Sequence, residues 1–200
     1  MKFTSDSVQK KTSETHPLMF DTLDIGRGSV GMTICPGKKG PSLYGPPWDR
    51  NLELDLKSIE EFGATRLVTL MRSKELLELG VPLVDFERST RCKHYFVPVH
   101  DLNGPKFDPY NDNIFWSWQN TLDRLTRLLS HGERVVVHCR GGLGRTGTFV
   151  AELLMRHGYN SVKAIKTVRA ARPGAIETRA QLDYLLNHAE LHSEPYAKRA

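Results

Sequence analysis

This chain of 200 residues has few cysteines and no long apolar run. Its three cysteines, Cys35, Cys92 and Cys139, form an odd and widely spaced set, which argues against a disulfide framework. Such cysteines are typical of a reducing compartment, so we expect a cytoplasmic location. The apolar runs fall far short of the ~18 residues that a membrane-spanning helix needs, and the first residues lack the apolar core of a secretory signal. We therefore predict no membrane span.

Three functional patterns are also absent from the sequence. No basic run with interleaved aromatic residues indicates a nucleic-acid surface, and no cluster of His and Cys has metal-ligand spacing. We therefore expect no nucleic-acid partner, no metal and no other cofactor. No Gly-Lys-Ser/Thr follows a glycine-rich run, which excludes a Walker-type nucleotide loop. The net charge of +5 suits an anionic substrate, although an excess of this size is equally common in proteins without one.

The length suits one domain with short tails. We predict a flexible polar tail at 1–17, a single domain at 18–193 and a short tail at 194–200, and we expect a monomer. Apolar spacing predicts strands within 20–36 and at 66–70, 93–99 and 135–139. It predicts helices at 54–62, 73–79, 111–129, 146–156, 161–170 and 177–192. This alternation predicts an α/β fold with a mostly parallel central sheet flanked by helices, and a site at the carboxyl ends of its strands.

The strongest functional signal lies at residues 138–146, which read HCRGGLGRT. A β-branched run precedes this segment and a helical pattern follows it, so a glycine-rich turn should join a strand to a helix. Backbone N–H groups converge in such a turn, and the positive end of the helix favours an anion. These groups and Arg145 should stabilise the thiolate of Cys139. A thiolate that faces a bound phosphate is a nucleophile placed to attack phosphorus. We call residues 139–145 the phosphate loop.

This segment resembles the signature His-Cys-x5-Arg-Ser/Thr of the cysteine-dependent protein phosphatases. Further segments at 34–38, 97–104, 174–178 and 181–185 are similar to the cyclin-dependent-kinase-associated branch of the dual-specificity phosphatases. The resemblance implies a protein-tyrosine-phosphatase-like fold, a phosphorylated protein as substrate and a phosphocysteine intermediate. It implies that Cys139 is the nucleophile, that Arg145 holds two phosphoryl oxygens and that Thr146 donates to the departing thiolate. The phosphate-binding residues are then Arg140, Gly141, Gly142, Leu143, Gly144 and Arg145.

The leaving oxygen needs a proton, so a carboxylic acid should face the cysteine from a loop. Asp101 follows a predicted strand and precedes Gly104-Pro105, which predicts a loop. The family places its general acid on such a loop, and Asp101 lies at the matching position. Asp108 is the rival, and either residue could instead be an ordinary turn aspartate.

Several supporting residues have two interpretations. We expect His138 to order the loop through hydrogen bonds rather than to touch substrate. Gln181 lies where relatives carry an amide that positions water, although Glu177 stands where some relatives have glutamine. The side chains of Arg140 and Arg172 either line the cleft or face solvent.

Packing interpretations remain open for the other two cysteines and for a pair of tryptophans. Cys35 and Cys92 are either buried small side chains or disulfide partners for an oxidised Cys139. Trp116 and Trp118 cannot both face the core, because positions i and i+2 of a helix diverge.

Three functions fit these residues. The first is a phosphatase acting on phosphotyrosine, and on phosphoserine or phosphothreonine if the cleft is shallow. The second applies the same chemistry to a phosphoinositide, an inositol phosphate or an RNA 5′ phosphate. The third is a phosphate-binding module without turnover, and such modules usually lack the cysteine or the arginine.

Overall fold

Strands and helices alternate along the chain in a computed structural model that describes residues 9–42, 45–101 and 113–187. The strands are β1 Asp21–Ile25, β2 Gly28–Thr33, β3 Lys39–Gly40, β4 Trp48–Asp49, β5 Arg66–Thr69, β6 Lys93–Phe96 and β7 Arg134–His138. The helices are α1 Leu52–Glu61, α2 Ser73–Glu78, α3 Leu83–Ser89, α4 Asn113–Ser130, α5 Gly144–Arg156, α6 Ser161–Ala171 and α7 Arg179–Asn187.

The central sheet has five strands in the order β1-β2-β7-β5-β6. The pairs β2–β7, β7–β5 and β5–β6 are parallel, and only the edge strand β1 is antiparallel to its neighbour. Val135, Val136 and Val137 of β7 are fully buried, because this central strand is covered on both faces. The α/β fold with a mostly parallel sheet is therefore confirmed, and the carboxyl end of β7 lies at the middle of the sheet.

Helices α4 and α5 place apolar side chains against the sheet. Twelve of the thirteen residues of α5 are buried, from Gly144 to Met155. On α4, Trp118 is fully buried while Trp116 is 53% exposed, which confirms that the two indoles face opposite ways. No helix within the described ranges is long and apolar enough to cross a bilayer.

Local differences from the sequence expectations have simple causes. Helix α3 was not predicted, because its seven residues are too few for a clear apolar period. The N-cap of α2 is Arg72, whose N–H donates to Glu75 Oε2 at 3.0 Å. Helix α7 begins at Arg179 rather than at 177, and β6 ends at Phe96 rather than at 99.

The N-terminal segment 9–17, predicted to belong to a flexible tail, is bonded to the folded domain. Lys11 pairs with Trp48 as an isolated bridge. Ser13 Oγ accepts the N–H of Asn51 at 2.9 Å, and Arg50 Nη1 donates to the carbonyl of His16 at 2.7 Å. The folded part of the chain therefore begins before residue 18, while the predicted limit at 193 lies outside the described residues.

Candidate active site

The phosphate loop connects the carboxyl end of β7 to the first turn of α5. Cys139 directly follows the strand and is only 3% exposed, so it lies at the base of the loop. Gly142 has φ +69°, and a Cβ there would lie 2.1 Å from the carbonyl oxygen of Thr33. Glycine at this position therefore lets the loop pass directly over the end of β2.

The carbonyl groups of the loop bond to partners outside it. The bonds run from Cys35 N–H to Arg140 O (3.4 Å), from Lys38 Nζ to Arg140 O (3.3 Å), from Arg172 Nη2 to Gly141 O (3.0 Å) and from Ile176 N–H to Leu143 O (3.4 Å). Within the described part of the chain, no backbone N–H of residues 140–145 donates to another protein group. With its carbonyls held outward, the loop presents these N–H groups to an anion at the N-terminus of α5.

Arg145 is held at one end of its guanidinium by Glu75 and Val99, and its other edge, Nε and Nη2, faces the cleft. Nη1 lies 3.0 Å from both carboxylate oxygens of Glu75 and donates to the carbonyl of Val99 at 3.1 Å. The side chain is fully buried; among the described residues Nε has no hydrogen-bond acceptor, and Nη2 faces the carboxylate of Asp101. Two buried donors in a fixed planar fork match two oxygens of a phosphoryl group.

Asp101 lies in the same cleft as Arg145. Its Oδ1 is 3.1 Å from Arg145 Nη2, at the edge of the guanidinium that Glu75 does not contact. The Asp101 side chain is about half exposed, so it borders the mouth of the cleft. Asp108, the rival acid, lies outside the described residues.

His138 is buried directly before Cys139 and belongs to a hydrogen-bond chain. Its Nε2 lies 2.7 Å from Thr69 Oγ1, which lies 2.8 Å from His94 Nε2, and its Nδ1 lies 3.4 Å from the Cys139 carbonyl. Burial lowers the pKa of His138 to about 3, so its imidazole is neutral at physiological pH. A neutral ring that donates from Nδ1 and accepts the Thr69 hydroxyl at Nε2 ties the end of β7 to β5.

Thr146 and Gln181 both carry buried polar atoms without a hydrogen-bond partner among the described residues, Oγ1 of the first and Nε2 of the second. Gln181 Oε1 accepts the N–H of Thr178 at 3.2 Å, which fixes its orientation. A Cβ at Gly144 would lie 2.6 Å from Glu177 Oε2 and 2.7 Å from Gln181 Nε2. The side chains of Glu177 and Gln181 therefore both reach the phosphate loop at the start of α5.

Arg140 and Arg172, each of which the sequence placed either in the cleft or in solvent, differ in their surroundings. The side chain of Arg140 is exposed. The side chain of Arg172 is not solvent-facing: it donates to the carbonyl of Gly141 and pairs with Asp21 on β1. It thus supports the outer side of the loop. Cys35 and Cys92 are buried free thiols.

Sequence reasoning missed two residues that contact the loop, Glu75 and Lys38. Glu75 had one signal, its place near the start of a helix after β5, but many acidic residues share such positions. The sequence signal for Lys38 was only that it forms a short basic pair with Lys39. Both lie far along the chain from the loop residues that they contact, by 70 and 102 positions.

Comparisons with known proteins agree with this geometry. The sequence profile of a family described as "PTP-SAK: Swiss Army Knife protein, DSP-PTPase phosphatase domain" matches residues 49–184. Cyclin-dependent kinase inhibitor 3 of Mus musculus is 25% identical over 191 residues, 92% of this chain and 84% of the relative. A crystal structure of kinase-associated phosphatase, with its catalytic-site cysteine replaced by serine, has a TM-score of 0.75 at 22% identity and covers 89% of this chain and 97% of that one. PTPMT1 in complex with PI(5)P has a TM-score of 0.62 at 18% identity, over 90% of this chain and 99% of that one.

Proposed function

Because the chain belongs to the family of DSP-PTPase phosphatase domains, and is thus a cysteine-dependent protein phosphatase, we propose that it hydrolyses phosphotyrosine, and also phosphoserine or phosphothreonine, through a phosphocysteine on Cys139. The observation that carries this proposal is the guanidinium of Arg145. Glu75 and Val99 hold Nη1, while beside the thiol loop the buried Nε has no acceptor among the described residues and Nη2 faces the half-exposed carboxylate of Asp101. A phosphoryl group that fills this space meets both donors and the free N–H groups of the loop.

The first chemical step transfers the phosphoryl group to the enzyme. The Cys139 thiolate attacks phosphorus, the bond from phosphorus to the leaving oxygen breaks, and Asp101 gives that oxygen its proton. Negative charge is spread over three equatorial oxygens in the transition state, and Arg145 and the loop N–H groups bind them. Thr146 donates its hydroxyl to the sulfur, which stabilises the thiolate as a leaving group in the next step.

The second step hydrolyses the phosphocysteine. The Asp101 carboxylate takes a proton from water as the water oxygen attacks phosphorus, and the sulfur–phosphorus bond breaks to restore the thiolate. Gln181 orients this water through its unpaired Nε2 beside the start of α5. His138 acts indirectly, by ordering the loop.

Removal of the general acid should separate substrates by leaving group. We expect Asp101→Ala to slow the hydrolysis of a phosphothreonine peptide by about 10²-fold or more. Hydrolysis of p-nitrophenyl phosphate should slow much less, because its phenolate leaves without a full proton transfer. The measurement is kcat/KM for both substrates, with Asp24→Ala on the exposed face of β1 as the matched control. Equal losses on both substrates would contradict the assignment and transfer the acid role to Asp108.

Substrate class is tested by phosphate release from a matched panel, with Cys139→Ser protein as the blank. The panel holds phosphotyrosine, phosphoserine and phosphothreonine peptides, a phosphoinositide, an inositol phosphate and a 5′-triphosphate RNA. Release from the peptides supports the proposal, and the ratio of tyrosine to threonine rates reports the depth of the cleft. The phosphate loop contains no lysine, unlike the loops of lipid-directed relatives, so we expect little release from the phosphoinositide. Release mainly from lipid or RNA would overturn the substrate class.

We also propose that the protein works as a monomer in the cytoplasm. A nucleophilic thiolate is readily oxidised, so it requires a reducing compartment. The three cysteines are free thiols, as such a compartment maintains them.

A further inference from the structure

Lys38 lies beside the phosphate loop and is only 8% exposed. Its Nζ donates to the carbonyl of Arg140 at 3.3 Å and lies 4.6 Å from the centroid of the Trp48 ring. The backbone around it is fixed on both sides. The N–H of Gly37 donates to Asp55 Oδ2 at 2.8 Å, and the N–H of Lys39 donates to the carbonyl of Leu79 at 2.8 Å. The position of this ammonium group is therefore built into the fold.

The ammonium of Lys38 has no carboxylate partner within 4.0 Å among the described residues. The buried carboxylate beside this segment, Asp55, is held by Arg50 through two bonds of 2.7 Å each. Burial of a cation without a counter-ion costs free energy, so Lys38 would be stabilised by an anionic group nearby.

The ionisable groups around Lys38 are Cys35, Arg50, Arg140 and Cys139. Burial lowers the pKa of Lys38 to about 8, and burial raises the pKa of Cys35, which stays a neutral thiol. Both arginines are positive. Cys139, the nucleophile of the proposed function, is therefore the member of this set for which Lys38 can serve as counter-ion.

We propose that Lys38 is a positioning residue that supplies the countercharge for the Cys139 thiolate, and for the phosphoryl group bound there, while it holds the carbonyl of Arg140 outward. This inference rests on the proposed function of Cys139. The stabilisation is mutual: the thiolate favours the charged form of Lys38, and the ammonium favours the thiolate. The countercharge is present while Lys38 is protonated and is lost as the pH rises and the ammonium deprotonates.

The test compares variants of Lys38 by the pH dependence of Cys139 alkylation. Iodoacetamide reacts with the thiolate, and mass spectrometry resolves the adduct on Cys139 from those on the other thiols. Lys38→Gln keeps a donor for the Arg140 carbonyl but removes the charge. Lys38→Arg keeps the charge. Lys39→Gln removes the same charge from the exposed neighbouring position and is the matched control.

We expect Lys38→Gln to raise the midpoint of the alkylation profile by about one pH unit, which slows alkylation on the acid side about tenfold. The alkylation rates of Lys38→Arg and Lys39→Gln should stay within about twofold of the rate of the native protein. If the glutamine variant does not fold, Lys38→Met gives the same comparison, because it keeps the apolar stem under Trp48.

An unchanged midpoint in folded Lys38→Gln protein would overturn the proposal, and so would an equal shift in Lys39→Gln. Alkylation needs no turnover, so this result is independent of whether any phosphate ester is hydrolysed. Native protein that releases no phosphate from the substrate panel would instead refute the proposed function.

Discussion

Cys139→Ser protein should show no measurable phosphatase turnover and yet bind a phosphotyrosine peptide. A serine hydroxyl is not ionised near neutral pH, so the attack on phosphorus loses its nucleophile and kcat should fall by at least about 10⁴-fold. The phosphate-binding groups are unaffected, because they are the N–H groups of residues 140–145 together with Nε and Nη2 of Arg145. Initial rates of phosphate release measure the loss, and isothermal titration calorimetry with the peptide measures the binding.

Cys92→Ser is the matched control for this result. It makes the same chemical change at another buried cysteine, whose sulfur contacts the carbonyl of Ala64 rather than the phosphate loop. Its activity should stay near that of the native protein. Turnover by Cys139→Ser at a rate similar to that of the control would contradict a covalent mechanism on this residue.

Arg145→Lys should lower kcat/KM for a phosphotyrosine peptide by about 10³-fold, although the charge is conserved. Lysine is a point charge and cannot present two parallel N–H donors to two phosphoryl oxygens. The structure adds a second reason: Arg145 uses one edge for Glu75 and Val99 and the other for substrate, and one ammonium cannot serve both. Steady-state kinetics with the peptide give the loss in kcat/KM, and inorganic phosphate as competitor gives the loss in ground-state binding.

Arg156→Lys is the control for this substitution. Arg156 lies on the same helix and pairs with Asp123 and Glu152, away from the phosphate loop. It should change kcat/KM by no more than about threefold, since most substitutions away from the chemistry have small effects. The kcat/KM of Glu75→Gln protein should lie between those of Arg145→Lys and Arg156→Lys, because Glu75→Gln leaves Arg145 in place but removes the charge that orients it. An Arg145→Lys enzyme as active as Arg156→Lys would refute bidentate binding.

The local sequence was sufficient to predict the fold class and the family. Val135-Val136-Val137 followed by glycines and then a helical pattern predicts a strand, a turn and a helix, and these are β7, the phosphate loop and α5. The chemistry of a phosphatase loop is contained in one short segment, so its residue types and spacing reveal it without any distant contact. The roles assigned to Cys139, Arg145, Asp101, Thr146 and Gln181 remain predictions, although the structure brings Asp101 within 3.1 Å of Arg145.

Elements with weak local signals were harder to predict. Helix α3 is too short for a helical period, and Phe86 is its one buried residue, with α1 and α2 packed beside the helix. The segment 9–17 is polar and has the composition of a tail. It is fixed by backbone pairing with β4 and by a donor from Arg50, which no local pattern encodes.

The sequence by itself determined the strand-turn-helix that carries Cys139 and Arg145, because it depends on neighbouring residues and on backbone periodicity. Only the tertiary structure decided which distant charges meet the loop. Glu75 bonds to Arg145 although the two residues are 70 positions apart in the chain. Arg172 bonds to Gly141 over 31 positions, and Lys38 bonds to Arg140 over 102 positions. The physical reason is that a buried charge is stabilised by whichever groups the packing of the sheet and helices brings within bonding distance, and that packing is a property of the whole fold.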